Sequence, residues 1–171
     1  GSTNNEVNHL TIKNATIGLL IQNNDGTTVS IKNTQIYNSS NYGILAQTAK
    51  INGENLVINN AGLASLACTY GGNYSFTHAT FNNNWNSSKQ VAVLVSNYIS
   101  GAIPEAKALT MATFNNCIIY GSYSNEMSLT RKTGAAFEYQ FNNCLIKFDN
   151  VSNQFTTNAD YQFNTDSAHY N

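Results

Sequence analysis

Three features of this 171-residue sequence predict an all-β fold, a parallel β-helix of stacked coils. A six-residue pattern returns along the chain, its apolar positions alternate with the period of a strand, and turns able to close hairpins are nearly absent. The pattern reads apolar, any, Asn, small or apolar, any, apolar. It occurs at Ile12–Ile17, Ile31–Ile36, Gly53–Ile58, Phe76–Phe81, Phe114–Ile119 and Phe141–Ile146, with start-to-start steps of 19, 22, 23, 38 and 27 residues.

Each element follows from that repeat. Alternation such as Leu10-Thr-Ile12 or Val29-Ser-Ile31 is a strand signal, and it loses phase at the Asn, so two short strands meet there at a bend. A third apolar run follows in four coils, at Gly18–Ile21, Gly43–Ala46, Gly62–Leu66 and Val91–Val95. Three strands in so few residues cannot pair with one another. They pair with the coil above and the coil below, about 4.8 Å away, and each coil buries its inner face only because its neighbours cover it. About six coils are expected, right-handed as parallel crossovers prefer, with the long step marking an insertion in the fourth. Ile12, Ile31, Phe76, Phe114 and Phe141 are expected to form one core column. Asn14, Asn33, Asn55, Asn116 and Asn143, with His78 substituting once, are expected to form a buried ladder whose amides satisfy backbone groups at the bend.

Composition narrows the function. Only 10% of residues are charged, the net charge is −1 and there is a single Arg, which excludes charge-driven nucleic-acid binding. No apolar run reaches the roughly 18 to 20 residues of a membrane-spanning helix, and 42% apolar content is too high for a disordered chain. Gly1–Ser2 read as a remnant of cloning, and residues 3–171 as one domain cut from a longer protein. Twenty-nine Asn, with abundant Ser, Thr and Tyr, point to a secreted or cell-surface protein.

The coil length, the apolar-x-Asn-x-x-apolar bend and the stacked columns resemble the right-handed parallel β-helix of the pectate-lyase-like superfamily. More narrowly, they resemble the repeat proteins of unassigned function found in secreted bacterial lipoproteins and surface proteins. The resemblance covers roughly residues 7 to 148, with an outer bound near 170. It implies a fold shared by lyases, hydrolases, esterases, adhesins and inert stalks, so it fixes no activity. For an enzyme it implies either a calcium-binding acid cluster with an Arg or Lys base, or facing Asp residues on neighbouring coils.

The acids do not form that arrangement in sequence. Glu6, Asp25, Glu54, Glu105, Glu126, Glu138, Asp149, Asp160 and Asp166 share no column on adjacent coils, although folding could gather the last three. Lys13, Lys32 and Glu54 are expected in one column, as an exposed ion pair worth under about 1 kcal/mol or as a charged substrate strip. No His or Cys spacing suits zinc, so neither metal nor cofactor is expected. Cys117 and Cys144 fall at one column, where in-register side chains suit free thiols better than a disulfide.

The insertion, residues 82 to 109, is the candidate binding element. It holds the only Trp (Trp85), the only Pro (Pro104), Tyr98, Lys89 and Glu105, and aromatic faces beside polar partners are the chemistry that grips a sugar ring. Trp85 has a second reading, as a cover on the edge of coil four. The leading expectation is a structural, adhesive or glycan-contacting module whose partner is a polysaccharide or another surface protein. The alternative is a polysaccharide lyase or hydrolase with its site near Asp149 and Arg131. Ice binding comes third, since Thr11, Thr16 and Thr28 share no column. Open coil ends expose strand edges, so either end-to-end self-association or a tail (149–171) folded over the last coil is expected.

Overall fold

The computed structural model describes residues 3–24, 26–99, 101 and 105–171; Gly1, Ser2, Asp25 and Pro104 lie outside them. Its strands, in chain order, are β1 (Glu6–Asn8), β2 (Thr11–Lys13), β3 (Ile17–Gln22), β4 (Val29–Ser39), β5 (Tyr42–Ala61), β6 (Ala64–Thr77), β7 (Thr80–Asn83), β8 (Val91–Ser96), β9 (Leu109–Asn115), β10 (Ile118–Gly121), β11 (Met127–Thr130), β12 (Phe137–Asn142) and β13 (Leu145–Ile146). All the strand ladders are parallel, as the repeat predicts.

The registers sort these strands onto three sides of a coil. The first side stacks β1, the start of β4, the middle of β5, the end of β6, β9 and β12. The second stacks β2, the rest of β4, the end of β5, β7, β10 and β13. The third stacks β3, the starts of β5 and β6, β8 and β11. Five turns are complete, and the sixth contributes two sides before the tail begins.

Side chains stack with the strands. On the second side Ile12, Ile36, Ile58, Phe81, Ile119 and Ile146 form one inward column. On the first side Val7, Ile31, Gly53, Phe76, Phe114 and Phe141 form another. Ile12 therefore belongs to a different column from the one expected, and Val7 takes its place. Phe76, Phe114 and Phe141 stack with centroids 5.4 and 4.7 Å apart, while Phe81 meets Phe114 edge-on at 6.0 Å. Each such contact adds about 0.5–1.5 kcal/mol to area burial. A Cβ on Gly53 would lie 2.5 Å from the Phe76 ring, so that rank of the column has room only for glycine.

The corners explain the asparagines. At the first corner His9, Asn33, Asn55, His78, Asn116 and Asn143 all have φ between 48° and 53°. Asn14, Asn38 and Asn60 are left-handed at the second corner, and Asn23, Thr48 and Tyr70 at the third, with φ between 42° and 60°. Left-handed backbone is costly for most L-residues and tolerated best by Asn after Gly. The buried ladder is thus corrected on two counts. Asn14 sits at the second corner, because Lys13 pairs with Tyr37; and Asn14, Asn33, Asn55, Asn116 and Asn143 are all exposed. Asn55 donates to the Asn33 side chain at 2.8 Å, and Asn116 meets the His78 ring at 3.3 Å, but these bonds lie on the surface.

The same shift separates Lys13 from Lys32 and Glu54, which do form an exposed ion pair at 3.2 Å. Cys117 and Cys144 occupy equivalent places on successive coils as free thiols. The neighbouring Cys144 thiol, followed by burial, holds the Cys117 thiol well above its ordinary pKa. The tail folds over the last coil, one of the two outcomes the open end predicts. Phe148 stacks on Tyr161 at 4.9 Å, and Phe163 packs against Tyr170 at 4.6 Å.

Candidate functional site

The outer face of the third side carries two rows set by register. One is apolar: Leu20, Leu45, Ala67 and Leu94. Beside it, two residues further along each strand, runs a polar row of Gln22, Gln47, Thr69, Ser96 and Thr130. A strand alternates its faces, so both rows point outward while Leu19, Ile21, Ile44, Ala46, Leu66 and Cys68 point into the core.

A groove of about 330 Å³ lies along these rows. Tyr42, Leu45, Leu94, Tyr98 and Ile99 give it apolar walls, and Gln47, Thr69, Ser96 and Thr130 give it amide and hydroxyl groups. All nine lining residues are uncharged. Gln22 donates its amide to the Gln47 carbonyl oxygen, which orients the Gln47 side chain. Thr69 donates to the Ala46 carbonyl at 3.3 Å. Ser96 donates to the Tyr98 carbonyl at 2.8 Å and so fixes the backbone that carries the Tyr98 ring.

Of the four candidate binding residues, Tyr98 alone lines this groove. The expected insertion is two loops, because β8 runs through its middle as an ordinary core strand. Trp85 and Lys89 lie in the loop before β8, at the corner between the second and third sides; Tyr98 and Glu105 lie in the loop after it. Six extended residues, roughly 20 Å, separate the two loops. Trp85 is half-buried, and a Cβ on Gly62 would sit 3.5 Å from its indole nitrogen, so it covers the edge of coils three and four. Lys89 is exposed. Glu105 accepts the Tyr70 hydroxyl at 2.5 Å, while Lys107 lies over the Tyr70 ring at 4.6 Å. That hydrogen bond raises the Tyr70 pKa. These contacts fasten the loop to the third corner and do not reach the groove.

Two buried asparagines that sequence reasoning missed hold the loops. Asn83 accepts the Ala61 N–H at 2.9 Å and donates to the carbonyls of Ala61 and Val91 at 2.8 and 3.0 Å. Asn97 accepts the Lys132 N–H at 2.8 Å and donates to the Lys132 carbonyl at 3.0 Å, tying the groove's loop to the next coil. Each stands where a strand ends and a loop replaces the usual corner, which is the only signal the sequence offers for them.

The carboxyl groups are dispersed. Arg131 pairs with the buried Asp160 at 3.3 Å, and Asp160 also accepts the Tyr139 hydroxyl at 3.2 Å. Asp166 holds His169 at 2.6 Å. Asp149 is exposed, with its backbone N–H bonded to Asn125. Glu126 is fully buried under the second corner beside Gln90 and accepts the Tyr123 N–H at 2.7 Å. Among the described residues no three His, Cys, Asp or Glu side chains converge as metal ligands. No protein-family model, no curated protein and no solved structure matches the chain.

Proposed function

We propose that this chain is a β-helix module of a secreted or cell-surface protein, serving as a rigid scaffold that contacts neutral glycans along the third side. The observation that supports it is the groove between Tyr42 and Tyr98, whose lining combines aromatic and aliphatic faces with amide and hydroxyl groups and carries no charge. A sugar ring needs both kinds of surface: an apolar face to stack on and polar partners for its hydroxyls. An uncharged lining favours neutral polymers over uronic acids, whose carboxylates would be desolvated there without a cation to meet them. The rigid parallel coil supports the scaffold part of the reading, because residues on successive strands repeat at about 4.8 Å and present a linear ligand with a regular row. Kinship with the non-catalytic members of the pectate-lyase-like superfamily belongs to the same proposal.

The test is a glycan array followed by titration calorimetry on neutral and uronic polysaccharides. Binding to at least one neutral polymer is expected, weakened about tenfold in Tyr98→Ala or Tyr42→Ala. Trp85→Ala, at the other corner, is expected to leave it unchanged. Turnover of a uronic polymer, or no binding to any neutral glycan, would overturn the reading.

A further inference from the structure

The C-terminal end of the coil is finished unevenly. On the third side the Tyr161 hydroxyl covers the edge of β11, accepting the Leu129 N–H at 2.7 Å. On the first side His169–Asn171 lie along β12 through one parallel bridge, Phe141 to Tyr170. Phe141 donates to the His169 carbonyl at 2.7 Å, and Asn171 donates to the Phe141 carbonyl at 2.9 Å. Among the described residues the second side has no such cover: there β13 ends its sheet and pairs with β10 alone. Leu145 and Lys147 donate to the Cys117 and Ile119 carbonyls, so Ile146, between them, turns its N–H and C=O toward the open side. Beside that edge is a hollow of about 390 Å³ walled by Cys144, Ile146, Phe148, Phe163 and Tyr170.

We propose that this edge docks one extended peptide segment, added to β13 as a parallel strand with alternate side chains entering the hollow. The neighbouring side shows the mode of addition, since His169–Asn171 already occupy the next level above β12, and the bare level on the second side continues it. The occupant is a single strand and not a second copy. The three strands of a coil rise together, and a whole first coil could not seat on β13 without displacing Tyr161 and Tyr170. The columns set the partner's side chains. Ala79 and Cys117 precede Cys144, and Phe81 and Ile119 precede Ile146. The segment therefore carries a small residue followed two places later by Ile or Phe.

The probe is the synthetic peptide Asn-Asn-Ala-Ile-Ile-Tyr-Gly, patterned on the β10 strand with its cysteine replaced. It is added to the 171-residue chain, and amide exchange is followed by NMR. Saturable binding is expected to slow exchange at the Ile146 amide by about tenfold or more. N-methylation of the peptide's Tyr removes the N–H that the Ile146 carbonyl would accept, and should abolish the effect. The proposal is overturned if saturating peptide leaves Ile146 exchange unchanged or if the N-methylated peptide protects it equally. It is likewise overturned if Ile146 protection rises with protein concentration alone, which would place a second copy on the edge.

Discussion

The phenolic oxygen of Tyr161 sits over the backbone of Leu129, accepting its N–H at 2.7 Å and donating to its C=O at 3.3 Å. Leu129 lies on β11, the last strand of the third side. One side chain thus does for that edge what the next strand does elsewhere in the coil. Tyr161→Phe keeps the ring stacked on Phe148 but leaves both Leu129 groups buried and unpaired. That is expected to cost about 1–3 kcal/mol. Urea unfolding should show the loss, and exchange at the Leu129 amide should quicken. An unchanged midpoint would mean that water replaces the hydroxyl.

The corner asparagines are held by backbone shape. Asn55 has φ of 52° and its amide is exposed, although it bonds to Asn33. Asn55→Ala is expected to cost about 1 kcal/mol, the left-handed penalty for a residue with a Cβ. Asn55→Gly removes the same amide but takes the left-handed φ of 52° without steric cost, which offsets the extra freedom glycine has in the unfolded chain, so it is expected to stay within a few tenths of a kcal/mol of the parent. Equal losses in the two variants, measured by thermal or urea unfolding, would instead credit the side-chain bond.

This distinction also explains what could be read from the chain. Ile31-Lys-Asn33 and Ile12-Lys-Asn14 obey one rule, apolar residue inward and Asn at a left-handed corner, yet they occupy different corners. A rule set by local backbone geometry locates corners without saying which corner each is, so the first coil slipped by one side. Parallel pairing, the three-strand coil and the Phe76–Phe114–Phe141 column were legible because period and column survive such a slip. Tyr98 was legible as an aromatic residue in a loop. Its groove partners Gln47, Thr69 and Thr130 were not, because they lie on successive coils and come together only through register. Asn83 and Asn97 look in sequence like twenty-seven other asparagines, and only burial separates them.

Glycine at the third side is a packing requirement of the same stacked geometry. A Cβ on Gly43 would meet the Ser65 carbonyl oxygen and the Ile58 methyl, each at 2.4 Å. The carbonyl is held in the strand ladder and cannot retreat. Gly43→Ala is expected to lower stability by about 1–3 kcal/mol. Gly101→Ala serves as the control, since its Cβ would meet nothing within 4 Å. A Gly43 variant that melts with the parent would show that the coils can separate locally.

Glu126 makes stability depend on pH in an unusual direction for a carboxyl group. Its side chain is fully buried; Oε1 accepts the Tyr123 N–H at 2.7 Å, while among the described residues Oε2 meets no hydrogen-bond partner, and neither does the nearby Gln90 carbonyl oxygen. Burial holds its pKa above the ordinary 4.5, against smaller opposing pulls from Tyr123, Gln90, Ala92 and Lys147. The folded state therefore binds its proton more tightly than the unfolded chain does. The contribution of the neutral carboxyl is complete below about pH 4.5 and is lost as pH rises through the folded pKa. Glu126→Gln keeps an acceptor for Tyr123 and cannot ionise. It is expected to match the parent near pH 4 and to exceed its stability near pH 8, by about 1.4 kcal/mol for each unit of upward shift. Urea unfolding of both proteins across that range measures the difference directly, because every other titrating group is common to the two. A constant gap at all pH values would place the effect in packing and remove the carboxyl from the account.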